Sequence, residues 1–267
     1  PPMAAFYNPP HHGLKPAASL ASSVLLAGKY EEGKQDVTGW WMSEKLDGVR
    51  CYWSGTHFYS RNGNMFNAPA WFTADLPPTP LDGELWAGRQ QFQQALSVVK
   101  SKDRKEDWVY LVFAVFDAPA LLCPKRPGRE AAFEDRMAWM AANLGPRKTA
   151  HAFPVGFEQV GNRQHLADRM GEVEAAGGEG LMLREPKSVY EEGRSHTLLK
   201  VKSFFDEEAL VIGHEKGKGK NASVCGAMLV KTPDGRKLKV GTGLTDADRR
   251  HPPKKGAVIT YKFQELT

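Results

Sequence analysis

The chain has 267 residues, 41% of them hydrophobic and 25% charged, with a formal net charge of +5; this is the composition of a globular protein with one large domain, or one medium and one small. No apolar run approaches the roughly eighteen residues of a membrane span, so no membrane partner is expected, and the mild positive charge favours a polyanionic one. Cys51, Cys123 and Cys225 lie far apart without a CxxC or Cys/His pairing, which speaks against a structural zinc site and against a complete disulfide framework.

Residues 1–16 are rich in Pro, Gly and His and read as an irregular arm, with no basic head and apolar core of an export signal. The spacing of Leu20, Val24, Leu25 and Leu26 predicts a short helix within 17–29, ending at Gly28. Strands are predicted at 39–43, 49–53 and 56–60, the last two joined by a hairpin across Ser54-Gly55, and again at 81–86. Phe92 to Lys100 reads as a helix and Trp108 to Phe116 as a buried strand. Two helices follow, 130–144 and 162–176, each stopped by glycine, then strands at 181–184 and 198–201. Beyond Lys202 the texture is all strand, with pieces at 209–213, 226–231, 237–240 and 257–263 and a Pro233-Asp234-Gly235 turn, a pattern that suggests a small β-barrel. A boundary near Phe204 gives two domains, 1–203 and 204–267.

Lys45 sits in Ser43-Glu44-Lys45-Leu46-Asp47-Gly48-Val49-Arg50. A lysine becomes a nucleophile only when its surroundings make the free amine accessible, and a four-residue Lys-x-Asp-Gly string alone fits a surface hairpin as well. Further polar motifs follow in order: Ser60-Arg61-Asn62-Gly63, Asp82-Gly83-Glu84, Val115-Phe116-Asp117, Glu179-Gly180-Leu181-Met182-Leu183-Arg184 and Leu198-Leu199-Lys200-Val201-Lys202. Each has a bland reading on its own, as a turn, a core aromatic or a solvated strand face. Together, in this order from Trp41 to Phe263, they resemble the nucleotidyltransferase motifs of ATP-dependent DNA ligases and of their relatives, the RNA ligases and mRNA capping enzymes. The short chain, the wording around Lys45, Gly241-Thr242-Gly243-Leu244-Thr245-Asp246 and Tyr261-Lys262-Phe263-Gln264-Glu265-Leu266 are similar to the minimal bacterial Lig E type.

The resemblance implies an α+β fold: a nucleotidyltransferase (ATP-grasp-like adenylation) domain of antiparallel sheets and helices, then an OB-fold β-barrel. It implies that Lys45 takes AMP from ATP as a lysyl-adenylate, passes it to the 5′-phosphate of a nick, and that a 3′-hydroxyl then displaces it. Lys200 and Lys202 would hold the α-phosphate. Ser43, Glu44, Arg50, Arg61, Glu84, Phe116 and Glu179 would line the nucleotide site, Phe116 as the adenine platform and the arginines as phosphate or ribose grips. Glu84 and Glu179 would meet a divalent cation, Mg2+ or Mn2+.

Nicked double-stranded DNA is the implied partner, bound through its backbone by dispersed lysines and arginines. Arg61, Lys100 and Lys102 are candidates, as are Lys216, Lys218 and Lys220 in a Gly-interleaved run that lets backbone approach a phosphate. The implied protein is a monomer, periplasmic by resemblance, with the cytoplasm as the alternative. The family's basic motif that orients pyrophosphate has no good match before Thr267: either the true C-terminus lies beyond this sequence or the first step is supported differently. Slow charging by ATP beside retained sealing of pre-adenylylated DNA is the expectation only if the protein is as short as given. An RNA ligase, a capping-type enzyme and an inactive DNA-binding homologue are the competing readings.

Overall fold

The structure, a computed structural model, describes residues 23–123, 128–203 and 205–263. The chain divides into two compact units, Pro1–Val201 and Lys202–Thr267.

The described part of the first unit runs β1 (Leu25–Lys29), β2 (Trp41–Glu44), β3 (Val49–Trp53), β4 (Phe58–Ser60), α1 (Ala70–Thr73), β5 (Leu81–Trp86) and α2 (Phe92–Lys100). It continues β6 (Val112–Asp117), α3 (Phe133–Asn143), β7 (Ala152–Pro154), β8 (Glu158–Gln159), α4 (Arg163–Ala175), β9 (Leu181–Arg184) and β10 (Gly193–Val201). Two five-stranded sheets result, ordered β1-β10-β9-β2-β8 and β4-β3-β5-β6-β7. The expectation of antiparallel sheets needs one correction: each contains a parallel pair, β1 with β10 and β6 with β7.

Strand alternation gives each sheet an apolar and a polar face. In the second sheet Cys51, Trp53, Leu81, Leu85, Phe113 and Val115 are buried with Ala95, Val98 and Val99 of α2 and with Trp108. Burying each of the leucine, valine and phenylalanine side chains contributes about 1.5–3 kcal/mol. The opposite face carries Arg50, Glu84 and Phe116, with Arg50 opposite Glu84 and Glu84 opposite Ala114. In the first sheet Met42, Leu183 and Leu199 pack on Leu166, Met170 and Val173 of α4, whose first turn is capped by the Asn162 side chain accepting from His165 N–H. Its other face carries the row Ser43, Met182 and Lys200. The polar faces are tied together by Arg184 donating to Asp117 at 2.8 Å and by the Tyr190 hydroxyl donating to Asp82 at 2.6 Å.

Three local expectations change. Leu25–Lys29 is a strand and not the end of a helix; residues 17–22 of that prediction lie outside the described residues. Parallel pairing with β10 overrides the helical spacing, and Gly28 permits it, since a Cβ there would stand 3.2 Å from Ser195 O. The predicted strand over 108–116 starts only at Val112, because Lys105–Tyr110 winds as a 3-10 helix that buries Trp108. Strands β7 and β8, too short to show a period, were not predictable from spacing.

The second unit pairs β11 (Phe205–Lys216), β12 (Cys225–Lys231), β13 (Lys237–Val240) and β14 (Val258–Phe263) as an antiparallel sheet of order β13-β12-β11-β14. Ala209, Val211, Cys225, Met228, Val230 and Tyr261 form its core. The Pro233-Asp234-Gly235 turn is present, with Gly235 at φ 91° donating to Thr232 O. The all-strand expectation misses α5 (Asp246–Arg250), which is opened by a capping box between Thr245 and Asp248; Thr-x-x-Asp was its signal.

Candidate active site

Lys45 follows directly on β2. Its backbone N–H donates to Gly180 O at 2.8 Å, continuing the β2–β9 ladder, and its side-chain ammonium pairs with the Glu179 carboxylate. Gly180 has φ 147°, and a Cβ there would lie 2.3 Å from Val201 O, so only glycine lets Glu179 turn toward Lys45 at this point. Across the turn, a Cβ on Gly48 would meet Leu85 O at 2.6 Å and Glu84 Cγ at 2.8 Å. The Asp-Gly of the motif thus serves close packing of the Lys45 turn on β5.

Glu84 faces the same space. Burial pushes its carboxyl up to about 8, and Asp82 and Glu179 add to that while Arg50 and Lys45 oppose it. In metal-free solution the folded protein therefore holds a proton on Glu84 that the unfolded chain releases near the ordinary value of 4.5. The unfolded state binds fewer protons over that interval, so wild-type stability falls as pH rises from about 4.5 through about 8. Glu84→Gln removes the titration, so thermal melts in chelator should show the variant gaining on wild type across that range; parallel melting curves at pH 5 and pH 9 would contradict it.

Arg50, expected as a phosphate or ribose grip, is held within the site by its own neighbours. Its Nε and Nη2 donate to the two oxygens of Asp82 at 2.7 and 2.6 Å, and Nη2 also to Leu25 O at 3.0 Å. Asp82 in turn accepts from Tyr190, whose hydroxyl also accepts from Leu25 N–H. The guanidinium carbon lies 4.8 Å from the Phe116 ring centroid, so a base stacking on this half-buried ring has the opposite face. Sequence reasoning gave Asp82 no role; its position two residues before Glu84, on the same side of β5, was the signal.

A second buried ionic group lies beside it. Asp117 accepts from Arg136 Nε and Nη2 at 2.6 and 3.1 Å and from Arg184 at 2.8 Å, and all three side chains are buried. Burial opposes the Asp117 charge, yet the two guanidinium groups hold its carboxyl below the ordinary range. Arg136 also donates to Ala131 O and Ser188 O. It was not anticipated, although it stands three residues after Phe133 and four before Met140, on the inward side of α3.

Of the other predicted site residues, Ser43 is buried in one row with Met182 and Lys200. Glu44 gives both carboxylate oxygens to Arg89, at 2.7 Å each. Lys202 opens the second unit. Arg61 is exposed in the turn after β4, and Lys100 and Lys102 are exposed at the end of α2. In the second unit Lys216 and Lys218 are exposed around the end of β11; the side chain of Lys220 and the stretch Gln264-Glu265-Leu266 lie outside what is described.

Residues 20–202 match the model of the ATP dependent DNA ligase domain, and residues 216–267 that of the DNA ligase OB-like domain. The chain belongs to the ATP-dependent DNA ligase family. A DNA ligase of Haemophilus influenzae is 37% identical over 246 residues, covering 92% of this chain and 87% of that one. A solved Lig E DNA ligase, described as binding DNA with a minimal scaffold, is 38% identical with a TM-score of 0.78 over 92% of this chain and 93% of its own. The Chlorella virus DNA ligase-adenylate shares the fold, with a TM-score of 0.56 at 24% identity over 91% and 95% of the two chains. The α+β reading, with a nucleotidyltransferase domain and an OB-like domain, is that of this ligase family.

Proposed function

We propose that the protein is an ATP-dependent DNA ligase that seals nicks between a 5′-phosphate and a 3′-hydroxyl, with Lys45 as its nucleophile. The observation that carries this reading is the Lys45–Glu179 pair, set beside Glu84 on the polar face of two sheets in a chain of the ligase family. An ammonium has no lone pair, so its proton must leave before attack; the Glu179 carboxylate is the acceptor in contact with it. The Lys45 Nζ then forms a bond to the α-phosphorus of ATP as the bond to pyrophosphate breaks. An oxygen of the nick's 5′-phosphate next takes the AMP, breaking the N–P bond and freeing Lys45. The 3′-hydroxyl finally attacks the 5′-phosphorus, and AMP leaves.

Within this reading Phe116 offers one ring face to the adenine, and Lys200, in line with Ser43, lies on the face that meets the phosphates. Lys202 is proposed for the same task. Arg50 contributes a fixed edge with its fork already held by Asp82. Glu84 and Glu179 would hold a Mg2+ or Mn2+ ion. Two carboxylates suit a cation that keeps its waters and takes further oxygens from phosphate. Such an ion supplies charge neutralisation at the transferring phosphoryl group.

We assign the nucleotidyltransferase role to residues 1–203 and backbone contact with duplex DNA to Arg61, Lys100, Lys102, Lys216, Lys218 and Lys220. The working unit is taken as a monomer, in the periplasm by resemblance with the cytoplasm as the alternative. Among the described residues no helix is long and apolar enough to cross a membrane. The test offers labelled ATP or GTP with nicked DNA or nicked RNA. Sealed DNA with ATP is expected; a GTP adduct, or sealing of RNA alone, would end this reading.

A further inference from the structure

The loop between β5 and α2 has a shape that local preference does not explain. Gly88 is at φ 121°, and Gln90, at φ 61°, is the non-glycine residue with positive φ among the described residues. A glutamine in this conformation costs on the order of 1 kcal/mol or more and persists only where its surroundings fix it.

The surroundings lie on both sides of the Lys45–Glu179 pair. Arg89, between the two unusual residues, places Nε and Nη2 on the two oxygens of Glu44 at 2.7 Å each. The Gln90 side chain lies against Gly177, where a Cβ would come within 2.7 Å of its Nε2. The Glu44 carboxylate itself covers Gly178, where a Cβ would stand 2.9 Å from Oε1. One loop therefore grips the residue before Lys45 and rests on Gly177, two residues before Glu179. From the other direction, the Lys45 N–H bond to Gly180 O fixes the same two segments. The amine and the carboxylate project from a frame closed at both ends.

Stability is a poor reason for this arrangement. The Arg89 side chain is 40% exposed, and exposed ion pairs contribute little to folding, about 0–1 kcal/mol, which does not offset a left-handed glutamine. Geometry at the amine is the better one, since a displacement of about 1 Å in a reacting group can lower a rate by roughly a hundredfold.

We infer that Arg89, braced by Gln90 and acting through Glu44, is a positioning residue for the charging of Lys45: it sets the amine against Glu179 without touching the nucleotide. The inference rests on Lys45 as the nucleophile, and it gives Glu44 a structural task in place of direct nucleotide contact.

Single-turnover labelling with ATP labelled at the α-phosphate, followed across ATP concentrations, tests it in wild type, Arg89→Ala, Glu44→Gln and the double variant. The maximal rate of label uptake should fall roughly tenfold or more in each single variant, with half-saturating ATP within about twofold of wild type. The double variant should be no slower than the singles, because the two residues act as one unit. Arg89→Lys should recover only part of the rate, because an ammonium cannot fork onto both oxygens. The unfolding midpoint of Arg89→Ala should match wild type. An unchanged maximal rate in Arg89→Ala would overturn the inference. So would a loss expressed mainly as higher half-saturating ATP, which would make Arg89 a nucleotide contact, or additive losses in the double variant. A wild-type protein that takes no label would remove the nucleophile reading and this inference with it.

Discussion

Lys45→Ala should take no label from ATP and should seal a nick at least about a thousandfold more slowly than wild type, the scale on which enzymes lose rate when a nucleophile is deleted. The same variant should still join a nick that already carries AMP on its 5′-phosphate. In that last step the 3′-hydroxyl attacks and AMP departs, and no bond to the lysine forms or breaks. The fold should tolerate the change. The Lys45 side chain is partly exposed, and what locks the turn into the sheet is the backbone bond to Gly180 O. A folded variant that fails equally on both substrates would mean that Lys45 serves only to bind phosphate.

The largest loss of stability should come from Asp117→Ala. The substitution strands two buried guanidinium groups, those of Arg136 and Arg184, that now share one carboxylate. Removing one partner from a buried ion pair costs about 3–5 kcal/mol. For a chain of this size that is a fall of roughly 10 °C in unfolding midpoint. The pH dependence has a definite sign. Because the native carboxyl lies below its ordinary value of 3.8, its contribution is fully present above that value and is lost only as pH falls beneath it. The gap between wild type and variant in chemical unfolding should thus stay constant from neutrality down to about pH 4 and narrow below. A loss under about 1 kcal/mol at neutral pH would show that the group is solvated rather than buried.

Much of this was legible in the sequence because the polar motifs fall at strand ends and turns, where side-chain type and backbone conformation are tightly linked. Lys45, Glu84 and Glu179 could be named from motif order, and the structure brings their side chains to one space. Phe116 could be placed on a strand, but not beneath a guanidinium. What the sequence hid were contacts made across the fold. Arg50 looks like a free cation until β1 and β5 bring Leu25 O and Asp82 to it. Arg136 looks like a surface charge until α3 packs against the end of β6. Arg89 and Gln90 sit in an unremarkable loop, and nothing in Gly88-Arg89-Gln90 announces a left-handed glutamine, because that conformation is imposed by Glu44 and Gly177 from elsewhere in the chain. Local spacing points to helix at Leu25–Lys29 for the same reason: a partner 168 positions later in sequence, Gly193 for Leu25, decides between helix and strand.

The central claim is tested most directly by locating the adduct. The protein incubated with ATP and a divalent cation, digested and sequenced by mass spectrometry, should carry one AMP on the peptide holding Ser43 to Arg50, attached at Lys45. The bond should be acid-labile, as a phosphoramidate is, and adding nicked DNA should discharge it. AMP bound at any other side chain, or an adduct that nicked DNA leaves in place, would contradict the account.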